Sequence, residues 1–372
     1  MAFEGKEFDE EILRKIEFRR TYPELIAQLI ERADEKSATL FSYFKELKKN
    51  LDLKFFEIKK SIEMLDSLEN VSQIPIAGID GSNVLVKGLG RKYFVVYGIS
   101  IVLFKKGIES IKKPEIKIFL DIDDFDEILD ISPELWATVR MMRGETKAIA
   151  EATKILGSGY IFLDGPIIDP PNYDEESYVD YRATVLAQAI KKGFNIIGIV
   201  KRYKSKLFVR ASNLEPHSDR DAIPLFFSKI RKEGYAGPIY TRPLSLVNDD
   251  IVPKFVLYKY LDKLLDLGID YQVFASYVQA NQYARPIKVE FFAEDEEDAL
   301  SEVKRIVSLI SIYTYPKMKI PLPVLLAHKT SLIRKRVALS VIREILTRLV
   351  FFSTNDPMLT EAIVDLITTE GE

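Results

Sequence analysis

The chain predicts an α/β fold: a mixed sheet flanked by helices, with a helical arm before it and α+β additions after it. Three observations carry that prediction. Apolar runs of strand length recur from residue 74 onwards, and two of them, 74–80 and 160–164, end in an aspartate followed by glycine. Past residue 130 helical and strand patterns alternate, which favours parallel pairing with right-handed crossovers. Before residue 70 the apolar residues recur at helical spacing instead.

Within the arm, Ile12, Ile16, Leu25, Ile26, Leu29, Ile30, Leu40, Tyr43, Phe44 and Leu47 form helical stripes between lysines and glutamates, and Phe55, Ile58, Ile62 and Leu65 suggest one more helix. Such an arm reads either as a dimerisation or partner-contact element or as helices packed on their own domain. The pattern changes at Pro75, and strands are expected at 74–80, 93–104 and 115–121. Ser132-Pro133-Glu134 reads as an N-cap serine with proline in the first turn. That helix should run to about Leu156, where Gly157 and Gly159 stop it. A strand at 160–164, a helix over 175–192 and a strand at 195–200 come next. A helix at 253–267, preceded by Asn248-Asp249-Asp250 as a cap, strands at 271–279 and 286–292, and helices at 295–311, 330–351 and 358–368 complete the chain. The acidic run Glu294 to Asp298 fits the start of a helix, where the dipole favours negative charge. The expected organisation is an arm over residues 1–70 and one α/β domain over 71–372.

Composition excludes several chemistries. The 372 residues are 47% hydrophobic and 29% charged, enough for a large core. A net charge of −3 argues against a globally basic nucleic-acid binder, so any polyanion site must rest on local basic clusters or bound metal. There is no cysteine, which removes thiol catalysis, zinc–thiolate sites and disulfides. Only His217, read as a surface-loop residue, and His328 are present. No G-x-x-x-x-G-K-[ST] loop and no G-x-S-x-G elbow occurs. The first residues do not read as a signal peptide, and no apolar run approaches the roughly 20 residues that span a bilayer. A cytoplasmic protein is expected.

The two Asp-Gly pairs are the chemically informative feature. Either alone reads as turn chemistry. If the strands before Asp80 and Asp164 are neighbours, however, the two carboxylates share a pocket and repel unless a cation sits between them. Oxygen ligands of this kind suit magnesium or manganese. The intervening helix supplies a third carboxylate: Glu145 falls on the apolar stripe of Leu135, Val139, Met142, Ile149, Ala152 and Leu156, whereas Glu134 and Glu151 lie off it. A carboxylate on a buried face is costly without a partner. Counting back along the helix at about 1.5 Å per residue against a strand rising about 3.3 Å per residue puts Glu145 level with Asp164. The order of three strands, a glutamate-bearing helix and an aspartate-bearing strand resembles the ribonuclease H-like nuclease fold. In that fold such carboxylates hold two metal ions for phosphodiester hydrolysis.

Further pieces extend the resemblance. Ile79-Asp80-Gly81-Ser82, the helix with Glu145, Phe162-Leu163-Asp164-Gly165, Val200-Lys201-Arg202 and the segment from Pro321 to Lys329 with His328 follow in the order found in the NurA nuclease family. The resemblance covers roughly residues 70–350. It implies a manganese- or magnesium-dependent DNA nuclease, with two ions and 5′–3′ exonuclease and single-strand endonuclease activity. It also implies a homodimer acting with a HerA-type hexameric ATPase in end resection and double-strand break repair. By the same resemblance Asp80, Glu145 and Asp164 are metal ligands and His328 is catalytic; read from the residues alone, a histidine such as His328 after an apolar run is more often a hydrogen-bonded core residue than a catalyst. Tyr315 is carried over as catalytic on a shifted spacing, because the position eight residues before His328 is Ile320. Lys201 and Arg202, just after a strand, and Arg242 are candidate phosphate contacts. The rival expectation is a catalytically weak scaffold of the same fold that docks onto a ring ATPase.

Overall fold

The structure, a computed structural model, describes residues 23–87, 92–126, 131–168, 176–249, 252–316 and 318–369. The start of the arm, with Ile12 and Ile16, and the basic segment 88–91 lie outside the described residues. The chain divides into two compact units, with the boundary between Phe55 and Phe56.

The first unit is built on helix α1, Pro23–Leu53. Its 31 residues span about 46 Å at 1.5 Å per residue. Leu25, Leu29, Ile30, Leu40, Phe41 and Phe44 are exposed along it.

The second unit is organised by a ten-stranded mixed sheet. Its strands are β1 (Ile62–Met64), β2 (Ile76–Lys87), β3 (Lys92–Phe104), β4 (Glu115–Asp126), β5 (Gly159–Leu163), β6 (Phe194–Val200), β7 (Ile239–Thr241), β8 (Leu244–Ser245), β9 (Gln272–Gln279) and β10 (Ile287–Ala293). The order across the sheet is β1-β7-β9-β10-β6-β5-β2-β3-β4, with β8 beside β9. β2, β5 and β6 are parallel neighbours, and the other pairings are antiparallel. The expected parallel centre is therefore present.

Helices cover both faces. Ile149 of α2 (Pro133–Leu156), Leu186 of α3 (Glu176–Lys191) and Leu257 of α5 (Lys254–Asp266) share one apolar core; α4 (Asp219–Lys232) lies between α3 and α5 in sequence. On the opposite side Ile306 of α6 (Glu296–Tyr313) and Val324 of α7 (Leu322–Ser331) belong to a second core. Helices α8 (Lys335–Ser353) and α9 (Pro357–Thr369) end the chain. Two caps form as their sequences predict. Ser132 Oγ accepts from Leu135 N at 3.2 Å, and Asp295 accepts from the amides of Glu297 and Asp298. Gly157, at φ 78°, closes α2 in a conformation that glycine adopts without strain.

Several expectations change. β2 does not stop at Asp80 but continues to Lys87, paired with β3 along its whole length, so Asp80-Gly81 is not a turn. What ends near Asp80 is the parallel neighbour, since the β2–β5 register stops at Ile79 opposite Leu163. Gly81 serves close packing instead: a Cβ there would lie 2.7 Å from Met141 Cγ and 2.8 Å from Glu145 Oε1. Ile62 is in strand β1 rather than in a helix, opposite Thr241. The helix expected at 330–351 is present as α8 but starts at Lys335, and a separate helix not expected from the sequence, α7, precedes it and carries His328. Helix α4 escapes the sequence reading because Pro224 interrupts its pattern. Asp249 does not cap α5, whose N-cap position is Pro253; it ends a short 3₁₀ turn and its side chain is buried against Lys288. His217 is buried, not a surface-loop residue. Among the described residues no helix is long and apolar enough to cross a membrane.

Candidate active site

The centre of the sheet concentrates the acidic residues. Asp80 lies in β2, and Asp164 follows directly on β5, its amide donating to Ile79 O at 3.0 Å. Both carboxylates are almost fully buried, with side chains 6% and 3% exposed. Helix α7 brings in the third member. A Cβ on Gly78 would overlap the backbone of Pro323, so a bare β2 backbone is what admits the helix this closely. His328 Nδ1 then sits 3.0 Å from Asp80 Oδ2 and 3.4 Å from Asp164 Oδ2, with its ring half-exposed. Single ligand atoms from Asp80, Asp164 and His328 all lie within 4.8 Å of one another.

Two serines missed by the sequence reading hold this corner together. Ser331 Oγ donates to Asp80 Oδ2 at 2.8 Å. Ser82 Oγ donates to Ser331 O at 2.5 Å and accepts from Ile333 N at 3.0 Å, tying β2 to the end of α7. The signal was there: His328 and Ser331 are three apart and share one helix face, and Ser82 is two residues from Asp80 on a strand.

Electrostatics at the corner are strained towards negative charge. Burial, and then the charge of Asp164, push the Asp80 carboxyl above its ordinary range, against the pull of Ser331 and His328. Asp164 Oδ2 is paired with Lys201 Nζ at 2.5 Å, while its buried Oδ1 has no hydrogen-bond partner among the described residues. A buried carboxylate oxygen without a donor is costly, and a cation is the group that would satisfy it. The donor set and that oxygen together fit a divalent ion.

Glu145 approaches from the other side of β2. Its Oε1 overlies Gly81, next to Asp80, although it lies outside the group of three. Glu151 faces elsewhere, with Lys117 at 3.8 Å and Lys154 at 3.7 Å.

A cleft of about 890 Å³ opens beside Asp164 and His328. Lys201 and Arg202 line it, as do Arg220, Arg285 and Lys319, three cations that the sequence reading did not select. Tyr315 is not among its lining residues; it is exposed, and Lys319 and Ile320 occupy that wall. Arg242 is elsewhere too. It follows β7, four strands or roughly 19 Å from β5 at about 4.8 Å per strand, and pairs with Glu63 at 2.9 Å.

A mixed sheet with carboxylates from its central parallel strands, covered by a glutamate-bearing helix, is a ribonuclease H-like fold of the kind found in nucleases. The likeness extends to family level. The NurA domain model matches residues 75–331, and the chain belongs to that family. The NurA nuclease from Sulfolobus solfataricus superposes with a TM-score of 0.57 at 14% identity, covering 88% of this chain and 98% of that one. A second NurA crystal structure gives a TM-score of 0.59 at 13% identity, covering 86% of this chain and 97% of that one. No curated protein matches the chain.

Proposed function

We propose that the chain is a divalent-metal-dependent deoxyribonuclease, with Asp80, Asp164 and Glu145 as the acidic ligands and manganese or magnesium as the ion, two ions being the expected number. The observation that carries this reading is the convergence of Asp80, Asp164 and His328, with Asp164 Oδ1 buried and without a hydrogen-bond partner among the described residues. Family membership and the nuclease name of the Sulfolobus structure support the same activity. Bound there, a divalent ion supplies activated water and neutralises charge on the leaving oxygen.

The chain's own groups divide the remaining work. Asp80 and Asp164 provide the negative field that holds cations. His328, half-exposed beside both, can donate to a phosphate oxygen or move a proton at the cleft wall. Lys201 pairs with Asp164 at the cleft wall, and its ammonium would be free to turn towards a phosphate were Asp164 to hold a cation. Arg202, Arg220, Arg285 and Lys319 line the cleft and offer sequence-independent phosphate contacts. Tyr315, exposed and away from the cleft lining, is assigned no catalytic step, and Arg242 no phosphate. We also carry forward from the family resemblance 5′–3′ exonuclease and single-strand endonuclease activity, a homodimer, and action with a HerA-type ring ATPase in end resection and double-strand break repair. The exposed apolar residues of α1 and of α8 and α9, among them Leu29, Phe41, Phe351 and Met358, suit such contacts.

The test is cleavage of end-labelled single- and double-stranded DNA with manganese, with magnesium, and with chelator. Cleavage that requires the ion and disappears in Asp80→Ala is expected. Cleavage that persists in chelator, or in Asp80→Ala, removes this site from the reaction.

A further inference from the structure

Arg182 on α3 heads the large side chains that are fully buried, at 1% exposure. A buried guanidinium is an expensive choice where an aliphatic side chain would fill the space, so its contacts are informative. Nε and Nη2 both donate to Ile167 O, at 3.1 and 3.0 Å, and Nη1 donates to Thr146 Oγ1 at 3.2 Å. Ile167 is three residues after Asp164, and Thr146 is the neighbour of Glu145 on α2. Thr146 Oγ1 donates its own proton to Met142 O at 2.9 Å, which leaves a lone pair for Arg182.

Ile167 is held on its other side as well. Its amide donates to Glu290 Oε2 of β10 at 3.0 Å, and Glu290 is paired with Lys288 at 3.0 Å. The loop rests on Gly198 of β6, where a Cβ would lie 2.8 Å from Gly165 O and 2.9 Å from Ile167 N. Both backbone handles of Ile167 are thus taken by buried charged side chains from two different elements. Only one of those side chains, Arg182, also reaches the helix that carries Glu145.

We propose that Arg182 is a positioning residue that sets the spacing between Glu145 and Asp164 and, through that spacing, the affinity of the site for a divalent ion. The proposal rests on the metal-dependent reading above. Its planar fork bonds a loop carbonyl and a helix hydroxyl at once, which a lysine ammonium on a flexible stem does not reproduce. Side chains that orient metal ligands without touching the ion commonly change affinity by about 10–100-fold when lost. Metal affinity should therefore fall while the chemistry at saturating ion is largely kept.

The experiment measures Mn²⁺ binding to the ion-free full-length chain by calorimetry, and cleavage as a function of Mn²⁺ concentration, for wild type, Arg182→Lys and Thr146→Val. Circular dichroism and a thermal melt establish folding. Arg182→Lys is expected to bind Mn²⁺ about 10-fold or more weakly, with turnover at saturating Mn²⁺ within a few-fold of wild type. Thr146→Val removes the helix-side acceptor while leaving Arg182 and the loop in place, and it should weaken binding in the same direction. It keeps the test decisive should Arg182→Lys not fold. Unchanged Mn²⁺ affinity in a folded Arg182→Lys, or in Thr146→Val, overturns the positioning role while leaving the nuclease reading intact. A wild-type chain that binds no Mn²⁺ overturns the metal site itself, and this inference with it.

Discussion

Lys288 and Asp80 both lie in buried charge clusters on neighbouring parts of one sheet, and the clusters are built differently. Lys288 Nζ is 2.7 Å from Asp249 and 3.0 Å from Glu290, and all three side chains are at most 4% exposed. The cation is as deeply buried as its partners. Burial works against the Lys288 ammonium, but Glu290 and Asp249 outweigh it and leave its pKa above the ordinary value. Around Asp80 and Asp164 the carboxylates are buried, yet the basic groups facing them, Lys201 and His328, are 34% and 46% exposed. There the net effect raises a carboxyl pKa, which is the sign of an unrelieved negative field. A sealed cluster of this kind holds structure, as at Ile167; an open one with a surplus of carboxylate is arranged to receive a cation.

Lys288→Met is the harshest test of that contrast. It leaves Asp249 and Glu290 buried without their cation and should cost about 3–5 kcal/mol of stability. Urea titration followed by circular dichroism measures it; a loss below 1 kcal/mol, on the order of a surface pair, would show that the cluster is not sealed. The wild-type pH dependence has a defined sign. With its folded pKa raised, Lys288 contributes stability that is fully present below its unfolded value and is lost as pH rises through the folded value.

In the open cluster, loss of charge should spare the fold and remove the activity. Asp80→Asn is expected to reduce cleavage by roughly 100-fold or more, the scale of losing a preorganised charge stabiliser. Glu145→Gln should lower it by about 10–100-fold. Glu151→Gln, whose carboxylate faces Lys117 and Lys154, should leave it unchanged. Rates at saturating manganese decide the order. A Glu151 variant that fails beside a Glu145 variant that works would reverse the assignment of the helix.

Asp80→Asn should also stabilise the ion-free protein, by on the order of 1 kcal/mol. Because the folded pKa of Asp80 is raised, the folded state holds its proton more tightly than the unfolded chain. Wild type therefore gains stability as pH falls through the folded value towards 3.8, and the advantage of Asp80→Asn should shrink over that window. Added Mn²⁺ should raise the melting temperature of wild type only; an ion at 100 times its dissociation constant is worth about 2.7 kcal/mol. A variant that melts below wild type in chelator at neutral pH would contradict the unrelieved field.

The open cluster was the more legible of the two. Asp80 and Asp164 stand out because each follows an apolar strand, and Glu145 because it interrupts an apolar helix stripe. Their environment was not legible. Asp-Gly reads as a turn, so the continuation of β2 was hidden; what carries it on is the pairing with β3 as far as Lys87 opposite Tyr93, which no local pattern records. The helix of His328 is largely apolar and carries prolines at its start, Pro321 and Pro323, so periodicity neither located nor bounded it. The sealed cluster was invisible. Asp249 reads as a cap, and no pattern in the sequence singles out Lys288, Glu290 or Arg182. Each acquires its role only from partners far away in sequence, which composition and spacing do not encode.

The smallest expected effect concerns the cleft. Arg202, Arg220 and Arg285 line it, whereas Arg242 is paired with Glu63 far along the sheet. If the open cluster is where DNA lies, each cleft arginine that meets a phosphate should add about 0.7–0.9 to the slope of log affinity against log salt, and its alanine variant should lose that increment. The loss should be the same for unrelated DNA sequences, because phosphate contacts carry no base information. Arg242→Ala should keep the wild-type slope. Fluorescence anisotropy over a salt series, in Ca²⁺ or chelator so that cleavage does not intrude, gives all four slopes on one scale. A reduced slope for Arg242→Ala with unchanged slopes for the cleft variants would move the DNA path to the β1–β7 edge, away from Asp164. In that event the open cluster would be an ion site without a substrate beside it, and the contrast with the sealed cluster would no longer point to catalysis.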